Sequence, residues 1–244
     1  MRQPFKLHVM THWITYSEPS ASRLAALLST MGHQALCEPV TQIDRLLLAE
    51  AMPDARPDLI IALSQHAVSA YLENYNKPTH AGALVLAIGP ATAAGLIEHG
   101  GLRVRVSDPA NSEGLLAMSD IAALQRHQTV WLLTGEGGRD MVEQSLSGRC
   151  QLIRYNLYRR KARLPALASQ ISFKAIWVGS IHGLQQVEAG VASLKIDRQS
   201  TMLVASSERI ANYARGLGWT NPAVCEAFDL EATQQICARI DNGG

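Results

Sequence analysis

The 244 residues carry 22 Lys and Arg against 21 Asp and Glu, a net charge of +1, with 47% hydrophobic and 18% charged residues. So apolar a chain is not disordered, and without a cationic surplus it is not an electrostatic binder of nucleic acid. The length allows one large or two small domains with buried cores, and a near-neutral total leaves room for a strongly charged ligand met by a local site.

Short apolar runs alternate with helical patterns along nearly the whole chain. Strands are predicted at 6–10, 34–39, 58–63, 84–88 and 103–106, then at 129–133, 150–157, 175–178, 202–205 and 223–226. Their near-continuous apolar character suits parallel strands buried on both faces. Helices are predicted at 21–31, 67–73, 91–99, 113–118, 140–146, 184–194 and 208–217. In the first, Leu24, Leu27, Leu28 and Met31 share one face, and Gly32 is placed for its C-terminal cap. Asp229 is the expected N-cap of a last helix running through Ile240. Repeated strand–helix alternation means an α/β fold with right-handed crossovers between parallel strands.

No segment reaches the roughly 18 apolar residues of a membrane-spanning helix, and residues 1–20 lack a signal-peptide apolar stretch. Cys37, Cys150, Cys225 and Cys237 form no Cys-x-x-Cys pair. They read as small buried hydrophobes in a reduced, cytoplasmic protein.

An internal repeat argues for two domains. Leu63-Ser64-Gln65-His66-Ala67-Val68 is echoed by Gly179-Ser180-Ile181-His182-Gly183-Leu184, 116 residues later. Ile88-Gly89-Pro90-Ala91-Thr92-Ala93 is echoed by Ala205-Ser206-Ser207-Glu208-Arg209-Ile210, 117 later. A strand ending in Thr11 has a counterpart ending in Thr134, 123 later. Three echoes in one order at nearly one offset point to two similar α/β domains.

The informative positions fall where strands end and helices begin, the edge at which open α/β sheets bind ligands. These turns carry Thr11, Ser64, Gly89 with Thr92, Thr134-Gly135 with Gly137-Gly138, Ser180 and Ser206-Ser207. Backbone N–H groups and hydroxyls there can hold carboxylates without Lys or Arg; alternatively, the Ser and Thr side chains only cap their helices. The loop Gly135-Glu136-Gly137-Gly138-Arg139-Asp140 lacks the Gly-Lys-Ser/Thr ending of a phosphate loop and the Gly-x-Gly-x-x-Gly spacing of a dinucleotide site.

Arg149, Arg154, Arg159, Arg160, Lys161 and Arg163 form a basic stretch around Tyr158, uninterrupted by Asp or Glu. It is either a solvated connector or a positive contribution to a cleft holding an acidic substrate. In the second case the cations favour phenolate and make Tyr158 a readier proton donor. The eight histidines are dispersed, His8 and His12 flanking a strand end, so no metal site is expected, and no Gly-x-Ser-x-Gly elbow marks a serine hydrolase. Glu113 and Asp140 read as helix N-terminal acids.

Taken in order, these turns resemble the uroporphyrinogen-III synthase family over essentially the whole chain. The resemblance rests on Ala62-Leu63-Ser64-Gln65-His66-Ala67-Val68, Ala87-Ile88-Gly89-Pro90-Ala91-Thr92-Ala93 and Ser112-Glu113-Gly114-Leu115-Leu116. It continues through Leu132-Leu133-Thr134-Gly135-Glu136-Gly137-Gly138-Arg139-Asp140, Tyr158-Arg159-Arg160, Leu203-Val204-Ala205-Ser206-Ser207-Glu208-Arg209-Ile210-Ala211 and Gly218-Trp219. The chain departs from the family pattern where Thr-Arg-Pro follows the first strand, having His12-Trp13 after Thr11. It departs again where Arg-Gly opens the glycine loop, having Thr134-Gly135, and where Thr-Ser is common it has Gly179-Ser180.

The resemblance implies two flavodoxin-like parallel-sheet domains joined by a two-stranded linker, with the active site in the interdomain cleft. One domain would comprise residues 1–36 with 164–244, the other 40–155, and the linker 37–39 with 156–163. The implied reaction cyclises hydroxymethylbilane to uroporphyrinogen III, losing water and inverting ring D through a spiro intermediate, in tetrapyrrole biosynthesis. Tyr158 would be catalytic. Thr11, Ser64, Gly89, Thr92, Gly135, Gly138, Arg139, Ser180, Ser206, Ser207 and Arg209 would bind substrate. No cofactor or metal is implied; the protein would be a monomer touching the preceding pathway enzyme transiently. Alternatives are a non-catalytic two-domain binder of an anionic small molecule, or a synthase weakened at His12 and Thr134.

Overall fold

The computed structural model describes residues 11–138, 140–167, 171–226 and 229–242. In chain order the first elements are β1 (Thr11–Ile14), α1 (Ser20–Thr30), β2 (Ala35–Cys37), β3 (Thr41–Arg45), β4 (Leu59–Ala62), α2 (Gln65–Asn74) and β5 (Leu84–Ala87). There follow α3 (Pro90–His99), β6 (Arg103–Val106), α4 (Ser112–Leu116), α5 (Ser119–Ala122), β7 (Thr129–Gly135), α6 (Met141–Leu146) and β8 (Gln151–Ala162). The last are β9 (Phe173–Val178), α7 (Ile181–Leu194), β10 (Met202–Ala205), α8 (Glu208–Gly216), β11 (Ala223–Val224) and α9 (Leu230–Asp241).

The chain divides into two compact units, Met1–Gln42 with Lys161–Gly244 as unit 1 and Ile43–Arg160 as unit 2. Unit 1 holds a five-stranded sheet in the order β11-β10-β9-β1-β2, every pair parallel. The other sheet has six strands in the order β3-β8-β7-β4-β5-β6, parallel from β8 to β6. Passage between the units falls within β3 and β8, which are neighbours in that sheet. Residues 156–163, expected as linker, therefore belong almost entirely to one long strand.

The two topologies are one pattern begun at different points. Followed from β4, unit 2 runs through β5, β6, β7 and β8 and lays them out as β6-β5-β4-β7-β8. Followed from β9 through β10 and β11, and resumed at β1 and β2, unit 1 has the same layout, β11-β10-β9-β1-β2. Thus β9 corresponds to β4, β10 to β5 and β1 to β7, which is the physical content of the internal repeat.

Strands β4, β5, β7, β9 and β10 are covered on both faces, which is why they read as near-continuous apolar runs. In unit 1, Trp13, Ile176, Val178 and Leu203 face α7 and α8, while Ile14, Ala175, Trp177 and Val204 face α1 and α9. In unit 2, Ile60, Val85, Trp131 and Leu133 pack under α2 and α3, and Leu59, Ile61, Leu86 and Leu132 under α4 and α6. Helix α1 ends as its sequence predicts: Gly32 adopts φ +80°, its N–H meeting Ser29 O at 3.0 Å and that of His33 meeting Leu28 O at 3.0 Å. Asp229 caps α9, accepting from Ala232 N at 2.8 Å.

Several expectations are corrected. The strand predicted at 6–10 lies outside the described residues, and β1 spans Thr11–Ile14. Thr11 therefore stands at the amino end of that strand, its hydroxyl donating to Gln34 O at 2.9 Å, and Thr15 follows the carboxyl end. Pairing Thr15 with Thr134 brings the third echo to an offset of 119, in line with the other two. The half-exposed strand β3, with the sequence Thr-Gln-Ile-Asp-Arg, has no apolar run to announce it. Among the described residues no helix is long and apolar enough to cross a membrane, and the four cysteines form no disulfide.

His12, expected at a strand end, is instead wholly buried within β1, where its Nδ1 accepts from Trp177 Nε1 at 3.0 Å. Burial, reinforced by the charges of His33 and Lys174, pushes its imidazole from the usual 6.5 down to about 4. The folded pKa lies below the unfolded one, so the unfolded chain takes the proton first. The stability of neutral His12 is then lost as pH falls from about 6.5 towards 4. Between pH 7.5 and 5 this amounts to about 2 kcal/mol. In His12→Asn, whose amide oxygen still accepts from Trp177, the pH-dependent drop in urea-unfolding free energy should be smaller by that amount. Equal drops in the two proteins would contradict this account.

Candidate active site

The carboxyl edge of each sheet is built from short turns leading into helices. In unit 2, Ser64 caps α2, accepting from Ala67 N at 3.2 Å. In unit 1, Ser180 caps α7 in the same way, accepting from Gly183 N at 3.0 Å. These two serines do act as helix caps, leaving each hydroxyl hydrogen to donate elsewhere. Gly89 and Ser207 occupy the equivalent positions before α3 and α8, and neither makes a side-chain cap. Pro90 opens α3 without an N–H, and Thr92 N and Ile210 N already donate to Gly89 O and Ser207 O, so the first-turn amides left to other acceptors are Ala91 N in α3 and Glu208 N and Arg209 N in α8. Gly89 admits no larger residue without a shift, since a Cβ there would meet Ala110 Cβ at 3.1 Å.

Thr92 is buried in the first turn of α3. Arg209 is exposed in the first turn of α8, and Ser206 Oγ donates to Gly179 O at 3.2 Å. Ser64, Gly89, Thr92, Gly135 and Gly138 thus gather on the edge of unit 2, and Ser180, Ser206, Ser207 and Arg209 on that of unit 1. Thr11 does not join them, because it sits at the opposite end of β1. Arg139 lies outside the described residues.

Tyr158 is set by an irregularity in β8. Thr134 pairs with Asn156, but Gly135 pairs with Tyr158, so Leu157 is an extra residue in the strand. Such a bulge re-aims the side chains that follow it. Glu136 N–H donates to Tyr158 O at 2.8 Å, tying the glycine loop to the strand. The ring of Tyr158 lies against Gly135 so closely that a Cβ there would stand 2.5 Å from Cζ. The loop then turns at Gly137, with φ +67°, and a Cβ on Gly138 would lie 3.2 Å from Thr134 Oγ1.

The basic stretch does not converge on Tyr158. Arg154 pairs with Asp140 at 2.9 Å and with Glu143, and Arg149 donates to Ile121 O at 3.0 Å. Arg163 pairs with Glu38 at 3.1 Å. Arg160 is the residue that reaches the phenol, its guanidinium carbon 4.9 Å from the ring centroid. Three of the six cations are thus matched locally, Arg154 and Arg163 by carboxylates and Arg149 by a backbone carbonyl.

Two aromatic side chains stand beside these turns. The imidazole of His66, in the first turn of α2, stands 5.4 Å from the Tyr158 ring, centroid to centroid, at 62°. In unit 1, Tyr16 follows β1 and lies over Gly179, where a Cβ would come 2.3 Å from its Cε1. Its hydroxyl is hydrogen-bonded to Ser206, and burial pushes its pKa well above the usual tyrosine value. Tyr16, rather than His12, follows the threonine that comes after the first strand. Its counterpart in the repeat is Gly135, a signal available once β1 is placed correctly. Among the described residues no group of three or more His, Cys, Asp or Glu side chains is arranged to hold a metal.

Known proteins extend the geometry. The curated uroporphyrinogen-III synthase of Salmonella typhimurium is 24% identical over 253 residues, covering 91% of this chain and 98% of the relative. That of Escherichia coli K12 is 25% identical over 243 residues, with the same coverages of 91% and 98%. Among solved structures, uroporphyrinogen-III synthetase from Helicobacter pylori 26695 superposes with a TM-score of 0.63 at 13% identity, covering 95% of this chain and 99% of that one. A mutant uroporphyrinogen III synthase from Thermus thermophilus gives 0.59 at 18% identity, with coverages of 96% and 100%. At such identities these two establish the fold, two parallel-sheet α/β units. Residues 22–235 match the family described as Uroporphyrinogen-III synthase HemD, and the chain therefore belongs to the uroporphyrinogen-III synthase family.

Proposed function

We propose that the chain is a uroporphyrinogen-III synthase acting in the cytoplasm as a monomer. Family membership across residues 22–235 carries this function. The substrate is hydroxymethylbilane, a linear tetrapyrrole with eight carboxylates. Ser64, Ser180 and Ser207, together with the free first-turn amides of Ala91, Glu208 and Arg209, supply neutral donors for those carboxylates. Such donors let a protein of net charge +1 hold an octa-anion. Thr92, Gly138, Arg139 and Arg209 belong to the same binding set.

Loss of the substrate hydroxyl as water leaves an electrophilic azafulvenium ion. Tyr158 supplies the proton for that departure. Attack by the substituted ring-D carbon forms the spiro intermediate, which fragments and recloses with ring D inverted. The final closure releases a proton from the ring carbon, restoring the phenol. No step exchanges electrons with a cofactor. Without the enzyme, closure proceeds without inversion to the type I isomer, so catalysis consists largely of holding the chain in the geometry that lets the crowded carbon attack. Chromatography of the oxidised porphyrins formed from hydroxymethylbilane tests this function. The type III isomer is expected, and type I alone at the rate seen without protein would refute it.

A further inference from the structure

The ring of Tyr158 is confined by three groups from three parts of unit 2. Gly135 at the end of β7 is pressed against the ring, the Cβ position lying 2.8 Å from Cε1 and from Cε2 as well as 2.5 Å from Cζ. Arg160, two residues further along β8, places its guanidinium carbon 4.9 Å from the centroid. From α2 comes His66, tilted at 62° across a 5.4 Å centroid separation, in the edge-to-face range of aromatic pairs.

The approach of His66 is itself fixed. It is the second residue of α2, whose start is held by the Ser64 cap, and Ala67 and Val68 next to it are buried in the core beneath the sheet. Burial, with the charge of Arg160 added, pushes the imidazole from 6.5 down to about 4. At neutral pH it is therefore uncharged and brings no second cation beside Arg160.

We propose that His66 is a positioning residue for Tyr158, its ring setting the orientation from which the phenol reaches the departing hydroxyl. This rests on the assignment of Tyr158 to proton transfer. Displacement of a reacting group by as little as 1 Å can cost up to about a hundredfold in rate. A contact made only through the ring should appear in kcat and leave substrate binding alone.

The test is a double-mutant cycle with steady-state kinetics on hydroxymethylbilane. His66→Ala should lower kcat about tenfold with KM within about twofold of wild type, and His66→Phe, which keeps a ring, should recover most of the loss. In a Tyr158→Phe background His66→Ala should cost nothing further. A loss of the same size in both backgrounds, or a rise in KM at unchanged kcat, would overturn the proposal. A wild-type rate in Tyr158→Phe alone would instead overturn the assignment of Tyr158, and the proposal with it. Should His66→Ala fail to fold, His66→Leu against His66→Phe makes the same comparison: rate retained by Phe and lost by Leu supports the proposal, and equal rates overturn it.

Discussion

Gly135→Ala is expected to lower turnover of hydroxymethylbilane about a hundredfold and to destabilise the protein by about 1–3 kcal/mol. The backbone of Gly135 is in no conformation reserved for glycine, so the effect is one of space. The added methyl would stand 2.5 Å from Tyr158 Cζ, a separation that real Cβ atoms essentially never show. The neighbour is an aromatic ring wedged between backbone, Arg160 and His66, with no flexible end to swing aside. Either the ring moves or the end of β7 does, and both displace the phenol from the loop at Glu136–Gly138. Steady-state rates and melting temperatures should therefore fall together. A variant within threefold of wild type would show that this contact is unimportant to the reaction.

Tyr158→Phe should separate the two effects. Phenylalanine keeps the ring against Gly135, the cation of Arg160 over its face and the imidazole of His66 across from it. Only the hydroxyl is lost, so the melting temperature should hardly change. The rate should fall roughly ten- to a hundredfold, at the low end of what a general acid contributes. A wild-type rate in a folded protein would remove Tyr158 from the mechanism. Comparison of the pair distinguishes a ring that is needed for packing from a hydroxyl that is needed for chemistry.

Much of the fold is legible in the sequence because the central strands of both sheets are buried on both faces. β4, β5 and β10 are uninterrupted apolar runs and β7 and β9 nearly so, and Ser64, Ser180 and Asp229 announce the helices they cap. What the residues conceal is set by long-range partners. His12 hides the true extent of β1, since a polar residue there is tolerated only because Trp177, far along the chain, donates to it. A strand end at Thr11 would put the first turn at His12, whereas the chain leaves the strand at Thr15 and Tyr16. The basic stretch around Tyr158 looks like one positive surface, yet Arg163 is matched by Glu38 and Arg154 by Asp140 and Glu143. No local pattern announces those pairings. The bulge at Leu157 is equally silent, although it decides which residue of β8 meets Gly135.

The candidate site divides along the same line. The serines and glycines that follow strands are readable, because a parallel sheet delivers them to one edge whatever the details. The surroundings of Tyr158 are not, because Gly135, Arg160 and His66 meet there only through the pairing of β7 with β8 and the packing of α2 beneath them.

The product ratio of type III to type I porphyrin, followed as a function of protein concentration at fixed hydroxymethylbilane, tests the central claim most directly. Spontaneous closure to type I proceeds at a rate independent of the protein. The ratio should therefore rise in proportion to the concentration of the chain and collapse in Gly135→Ala. A ratio that stays at the protein-free value at every concentration would contradict the assignment of this chain as a working synthase.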